Sequence, residues 1–228
     1  MKPVALITGG VRGIGRGIVE NLATDHTIAL TYNRTPPDAL TAIYPDLLPL
    51  QADLSQQGTA EDVIAQVIQH FGQLDVLVNN AGSLLMDADD TGQNHAVNVA
   101  APVALLNAAL PHLNRGASVI NISSINAVLP AMGAVSYSAS KAALDTWTRG
   151  MAKTLGPRGI RVNGVAPGAI ERAESPRPAD LVKAFVDMTA LGRSGLPEDI
   201  AKVVRFLASD QAGFITGETI TVSGGYRL

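Results

Sequence analysis

Short apolar runs rich in β-branched residues alternate along the chain with longer stretches whose apolar positions recur at helical spacing. The pattern predicts strands at 4–8, 27–32, 48–52, 74–79, 117–122, 160–166 and 219–222. Helices are predicted at 13–24, 58–71, 91–112, 136–156 and 197–208, with a shorter one near 37–43. This strand–helix rhythm calls for an α/β fold, a parallel sheet with helices on both faces. Right-handed crossovers then put the C-terminal ends of the strands on one rim, where ligands bind at the switch in strand order. No repeat and no shift in composition marks a second domain, so the chain is read as one unit over 1–228. The Pro-rich, charged stretch from Glu171 to Asp180 could be a linker. In a single α/β unit a lid over the strand ends, near 171–190, fits better.

Composition narrows the function classes. With 228 residues, 46% of them apolar, the chain can bury a substantial core. The net charge is −3 and the 17 basic residues are scattered, which argues against a nucleic-acid partner. The absence of cysteine excludes disulfides, thiolate metal sites and a cysteine nucleophile. His26, His70, His95 and His112 lack metal-ligand spacing, so no metal is expected. The longest apolar stretch, 96–113, is broken by Asn98, Pro102, Asn107 and Pro111 and is too polar to span a membrane. The first residues lead into a strand without a signal-peptide pattern, so a soluble cytoplasmic protein is expected.

Candidate chemistry begins where the first strand must turn into the first helix. Gly9, Gly13 and Gly15 stand there, spaced Gly-x-x-x-Gly-x-Gly. Glycine permits φ > 0 and lets a pyrophosphate approach the backbone at a helix N-terminus. Strand two ends in Thr31-Tyr32-Asn33-Arg34, with no carboxylate to hold the hydroxyls of an adenosine ribose. Arg34, with Arg12 in the Gly turn, offers positive charge to a ribose 2′-phosphate instead, which predicts NADP(H) over NAD(H). The plainer reading is that both arginines are solvated. Asp53 after strand three is placed to accept from the adenine amino group, with Leu54 packing nearby; it could equally cap the loop that follows. In Asn79-Asn80-Ala81-Gly82, small residues let a nucleotide lie against the backbone, and the amides can tie neighbouring strands.

Tyr137 and Lys141 stand one helical turn apart, so they share a helix face. A free phenol has a pKa of about 10 and is a poor proton donor–acceptor near neutrality. A neighbouring ammonium favours phenolate, and a shift of about three units needs roughly 4 kcal/mol. Ser124, at the end of strand five, can hydrogen-bond a substrate oxygen and hold it against the tyrosine, whereas Ser123 should face the opposite way. Taken singly, these are ordinary features: a surface helix pair and a turn serine. Trp147, Met151 and Leu155 follow at helical spacing and read as core or subunit contact.

Taken together and in order, these motifs resemble the short-chain dehydrogenase/reductases over essentially the whole chain. The residues that carry the likeness are Thr8-Gly-x-x-x-Gly-x-Gly15, Asn79-Asn-Ala-Gly82, Asn98, Ser124, Tyr137-x-x-x-Lys141 and Pro167-Gly168. Through Gly192-Arg193, Pro197 to Ala201, Gly217 to Thr219 and Gly224-Gly225, the tail is most similar to β-ketoacyl-carrier-protein reductases. The resemblance implies a Rossmann-type sheet of seven parallel strands in order 3-2-1-4-5-6-7. It also implies NAD(P)-dependent alcohol–carbonyl chemistry on a small molecule, and a homotetramer or homodimer whose contacts use the helices at 91–112 and 136–156. It puts cofactor contacts at Gly9, Arg12, Gly13, Ile14, Gly15, Asn33, Arg34, Asp53, Leu54, Asn80, Ala81, Gly82, Tyr137, Lys141, Pro167, Gly168 and Ile170. Asn98 joins Ser124, Tyr137 and Lys141 as the fourth catalytic position, its backbone carbonyl holding a relay water. Pro102, which has no N–H to give the carbonyl four residues back, should leave that of Asn98 free and kink the helix.

The chain departs from the family's pattern in two places. The stretch from Gly82 to Asn98 is short, and Arg172 stands where a threonine is expected to meet the nicotinamide carboxamide. Leu84, Leu85, Val128, Leu129, Met132, Ala169 and Ile170 are expected to flank the mouth and favour an apolar carbonyl substrate. No basic cluster suggests an acyl-carrier-protein dock. The leading expectation is an NADPH-dependent carbonyl reductase with Tyr137 as proton donor. A non-catalytic NADP-binding regulator is the alternative. A sugar-nucleotide epimerase or dehydratase is disfavoured, because 228 residues leave little room for its separate substrate domain.

Overall fold

A computed structural model of the chain describes residues 2–227. Seven strands form one sheet: β1 (Val4–Ile7), β2 (Thr27–Tyr32), β3 (Leu48–Gln51), β4 (Val76–Asn79), β5 (Ser118–Ile122), β6 (Arg161–Pro167) and β7 (Thr219–Val222). Their spatial order is β3-β2-β1-β4-β5-β6-β7, and every neighbouring pair is parallel. The order expected from the resemblance is the order observed. Chain direction across the sheet reverses between β1 and β4, so the ends of those strands open the crevice where ligands of such sheets bind.

Eight α-helical segments connect and cover the strands: α1 (Gly13–Leu22), α2 (Asp38–Thr41), α3 (Thr59–Phe71), α4 (Gln93–His95), α5 (Ala101–Ala109), α6 (Val135–Leu155), α7 (Ala179–Asp187) and α8 (Pro197–Ala208). The sheet is buried on both faces because side chains alternate along each strand. Leu6, Leu77, Val119 and Val162 point to the layer of α3, α5 and α6, where Ile64, Val67, Leu106 and Leu155 meet them. Ala5, Ile7, Val78 and Ile120 point to the opposite layer, against Ile18 and Leu22 of α1 and Val204 and Leu207 of α8. Each fully buried aliphatic side chain stabilises the fold by roughly 1.5–3 kcal/mol over its exposed state. Trp147 and Met151 pack half-buried on the first of these layers.

Two expectations need correction. The helix predicted over 91–112 is not continuous: α4 gives way to a π-helical segment, Ala96–Ala100, before α5 begins. At its end the Ala101 N–H reaches back five residues to the Ala96 carbonyl. Pro102 explains the change of winding, since it cannot donate to Asn98 in an α ladder. The second correction concerns 171–190, where no helix is predicted and the nine-residue helix α7 forms. Pro176 and Pro178 precede that helix, where they do not interrupt its ladder. Val182, Phe185 and Val186 carried the helical spacing that signals it.

Candidate active site

The crevice begins at the turn from β1 into α1. Gly9 has φ 65° and Gly13 φ 51°, left-handed values that side chains disfavour. Gly15 has no such φ, but a Cβ there would sit 2.2 Å from the Gly9 carbonyl oxygen and 2.5 Å from Asn80 Nδ2. The turn therefore folds back on itself with no room for a side chain. Thr31, at the end of β2, holds its outer edge: Gly9 N–H donates to Thr31 Oγ1 at 3.1 Å and Gly10 N–H to the Thr31 carbonyl at 3.0 Å.

The end of β4 closes the other side. Asn80 Nδ2 donates to the carbonyls of Thr8 (2.8 Å) and Gly9 (3.1 Å), while the N–H groups of Asn80 and Ala81 both donate to Thr8 Oγ1 at 2.9 Å. Asn79 Nδ2 donates to Asn121 Oδ1 at 2.8 Å, and Asn121 Nδ2 to Thr148 Oγ1 at 2.8 Å, tying β4 through β5 to α6. The amides do tie neighbouring strands, as expected.

Ser124 follows β5 and accepts from Asn126 N–H at 3.1 Å, leaving its own O–H free to donate. Its hydroxyl lies beside the Tyr137 phenol and favours the ionised form. The Ser123 hydroxyl is buried and, among the described residues, has no hydrogen-bond partner, though its proximity favours the charged form of Asp145 on α6. Lys141 is buried, and its Nζ donates to the Ile122 carbonyl at 2.8 Å, 5.9 Å from the centre of the Tyr137 ring. A Cβ on Gly82 would lie 3.7 Å from that same Nζ and 3.3 Å from Asn98 Oδ1. The structure thus gathers Gly82, Asn98, Ser124, Tyr137 and Lys141 at the C-terminal rim of β4 and β5.

The electrostatics differ from expectation. Burial pushes the Tyr137 phenol above its ordinary value; the Ser124 hydroxyl and, behind it, the Arg172 guanidinium oppose that push. Burial also lowers Lys141 to about 8, with Asp145 one turn further along α6 opposing it. Burial has weakened this ammonium's hold on its proton, and the groups that do oppose the push on the phenol are Ser124 and Arg172. In the protein alone, the proposed acidification by Lys141 is overridden by desolvation.

Asn98 is wholly buried, and its side chain is fully engaged. Oδ1 accepts from Ser83 N–H (2.9 Å), and Nδ2 donates to the Ser83 carbonyl (2.8 Å) and to Ser140 Oγ (2.9 Å). Asn94 makes the same kind of staple: it exchanges hydrogen bonds with the Leu85 backbone at 3.0 Å each way and donates to Ser136 Oγ at 2.9 Å. Asp87 caps α6 by accepting from the N–H groups of Val135 (3.0 Å) and Ser136 (2.9 Å). Sequence reasoning missed Asp87 and Asn94. Their contacts with α6 span more than forty residues, so no local spacing reveals that role.

The remaining expected positions divide. Arg12, Asn33 and Arg34 are exposed on the rim beyond β1 and β2. Asp53 Oδ1 accepts from Ser55 N–H (3.1 Å) and Ser55 Oγ (2.7 Å), the loop-capping role, and these bonds hold its carboxyl below the usual value, with Arg34 adding to them. Ile14 and Leu54 rest partly on the core. Pro167 ends β6, and Gly168 lies so close to Ser223 that a Cβ would stand 2.8 Å from its Cα. Ile170 is buried against Gly195, packs partly into the core and borders a cavity with Ala169 and Leu191. Leu84, Val128 and Met132 are exposed around the opening.

The turn fits a dinucleotide: it is lined by glycines whose added Cβ atoms would clash, and it lies at the start of a ten-residue helix. Among the described residues, no helix is long and apolar enough to cross a membrane. The profile of the family described as enoyl-(acyl carrier protein) reductase matches residues 9–227. An uncharacterized oxidoreductase of Methylorubrum extorquens is 39% identical over 98% of this chain and 97% of its own length. A 3-oxoacyl-[acyl-carrier-protein] reductase of Chlamydia pneumoniae is 34% identical over 96% and 95%. The crystal structure of a short-chain dehydrogenase from Burkholderia cenocepacia, in complex with NADP, superimposes with a TM-score of 0.92 at 33% identity, covering 99% of this chain and 98% of that one. With its sheet order, its glycine turn and these full-length matches, the chain belongs to the short-chain dehydrogenase/reductase family of oxidoreductases.

Proposed function

We propose that this protein is an NADPH-dependent reductase of a small-molecule carbonyl, a ketone or a β-ketoacyl compound, folded as one nucleotide-binding domain with a lid near 171–190. The observation that carries the reading is the meeting of Ser124, Tyr137 and Lys141 at one strand rim beside Gly82. The NADP bound by the Burkholderia relative and the β-ketoacyl activity named for the Chlamydia relative support it.

When bound, the reduced cofactor supplies hydride to the carbonyl carbon. This chain's residues handle the oxygen. The Ser124 O–H donates to it and holds it against the Tyr137 hydroxyl, which gives up its proton as the carbon–oxygen double bond becomes single. The product is the alcohol, and Tyr137 must then recover a proton. Lys141, hidden from solvent and bonded to the Ile122 carbonyl, is positioned to place a ribose hydroxyl and to favour the phenolate that follows. Asn98 holds Ser83 and Ser140 in register so that the β4 loop and α6 keep these groups together. Arg12 and Arg34 supply the charge that favours a 2′-phosphate.

The test is turnover. Purified protein with NADPH and a panel of ketones, quinones, β-ketoacyl thioesters and enoyl thioesters should show carbonyl-dependent loss of reduced cofactor. Binding of NADPH without turnover on any of them would favour a regulatory protein. Turnover on the enoyl thioesters alone would move the reaction from the carbonyl to the carbon–carbon double bond.

A further inference from the structure

Arg172 follows β6 at the start of the lid, and the lid carries it back over the glycine turn. Its Cδ and Cγ lie 3.1 and 3.6 Å from the point a Cβ on Gly13 would occupy. Glu174 reaches the same point: its Oε1 is 3.2 Å away. A tight turn, closed by Ser175 N–H donating to the Arg172 carbonyl at 3.0 Å, brings the two side chains together there. The positive charge of Arg172 is also felt at Tyr137, where it favours the phenolate. The stem of one arginine therefore lies on the glycine turn, and its charge acts on the phenol.

The other lid arginine behaves differently. Arg177 donates to the Ile170 carbonyl at 2.7 Å and to Glu171 Oε1 at 2.9 Å, and it lies over the Phe185 ring at 5.3 Å. That side chain is committed to holding the lid. Among the described residues the Arg172 side chain has no ion pair and no hydrogen bond, although it is pressed against the glycine that begins α1.

We propose that Arg172 clamps the diphosphate of the dinucleotide over Gly13, and that Glu174 is a carboxylate lodged in the same place that the diphosphate displaces. The inference rests on the dinucleotide reading above and adds the residues that grip its central anion. Both halves follow from charge. An anion entering between Gly13 and the lid meets the guanidinium and the helix N–H groups, which attract it. It also meets the exposed Glu174 carboxylate, which repels it and must swing away from Gly13. The threonine expected by family resemblance could offer only a neutral hydroxyl at residue 172; arginine brings a full charge and a fork of donors.

Equilibrium binding tests this without turnover. NADPH, NADH and adenosine 2′-phosphate are titrated into wild-type protein and into the variants Arg172→Ala, Arg172→Lys and Glu174→Gln, with thermal unfolding as a check on folding. Arg172→Ala should weaken NADPH and NADH by the same factor, about tenfold or more, because both carry the diphosphate. It should leave adenosine 2′-phosphate unchanged, and Arg172→Lys should recover part of the loss. Glu174→Gln should tighten both dinucleotides by about threefold or more. Wild-type affinity in Arg172→Ala would overturn the clamp while leaving the dinucleotide reading intact. A loss confined to NADPH would overturn it too, by assigning Arg172 to the 2′-phosphate. Unchanged affinity in Glu174→Gln would overturn the displacement. Failure of wild-type protein to bind either dinucleotide would end the underlying reading and this inference together.

Discussion

Lys141 Nζ donates to the Ile122 carbonyl at 2.8 Å, so α6 is tied to β5 two residues before Ser124. The bond fixes where the cation sits, and burial decides how much of it remains charged. Lys141 lies at about 8, below the 10.5 of a free lysine. Between those values the unfolded chain holds a proton that the folded one has released, so stability rises with pH from about 8 to about 10. The full difference corresponds to about 3 kcal/mol. Denaturant unfolding of wild-type protein and Lys141→Met across that range should show the rise only in wild type. Parallel pH slopes would contradict the burial account.

Tyr137 should be indispensable to turnover and dispensable to cofactor binding. Tyr137→Phe is expected to lower kcat by at least about a hundredfold with NADPH affinity kept. Ser124→Ala should cost about ten- to a hundredfold. The phenolate absorbance difference between wild type and Tyr137→Phe should emerge only above the free tyrosine value, since burial raises it. Near-normal kcat in Tyr137→Phe would end the assignment.

Cofactor preference should follow Arg34. Removing its charge in Arg34→Ala should weaken NADPH by about tenfold and leave NADH nearly unchanged. Equal losses for both would show that Arg34 does not read the 2′-phosphate.

Gly15 leaves no space for a methyl group, because the nearest obstruction is backbone: the Gly9 carbonyl oxygen, 2.2 Å from the added atom. Gly15→Ala should destabilise the protein by about 1–3 kcal/mol and impair NADPH binding by distorting the turn. Wild-type melting and affinity would show that the turn can open without cost.

Asn98 holds the β4 loop to α6 through three hydrogen bonds in a fully buried position. Asn98→Ala leaves those partners unsatisfied and should cost about 3 kcal/mol. The loss should appear in Tm as well as in kcat. A fall in kcat alone would point to a chemical part for the residue beyond its role as a staple.

Much of this was legible along the chain. The strand segments differ from the observed ones by at most two residues at any end, and β2 and β7 coincide with their predicted ranges. Fully buried strands are bounded by turn residues, and that punctuation is local. The proposed catalytic pair was legible for a similar reason: Tyr137 and Lys141 share a helix face through spacing alone. Where the reading failed, the missing information was distant. Asp87 caps a helix 48 residues away, and Asn94 reaches Ser136 across 42. That Gly195 makes room for the Ile170 side chain, 25 residues away, was likewise not legible.

By itself, then, the order of residues determined the alternation of strands and helices, the glycine turn, and which side chains could do acid–base work. These depend on backbone conformation and on neighbours within a turn or two. Only the tertiary structure decided the protonation balance of that work. The burial of Lys141 and Tyr137, the contact of Arg172 with Gly13 and the effect of its charge on the phenol arise from segments separated by dozens of residues. Desolvation depends on everything packed around a group, and no spacing within one segment records it.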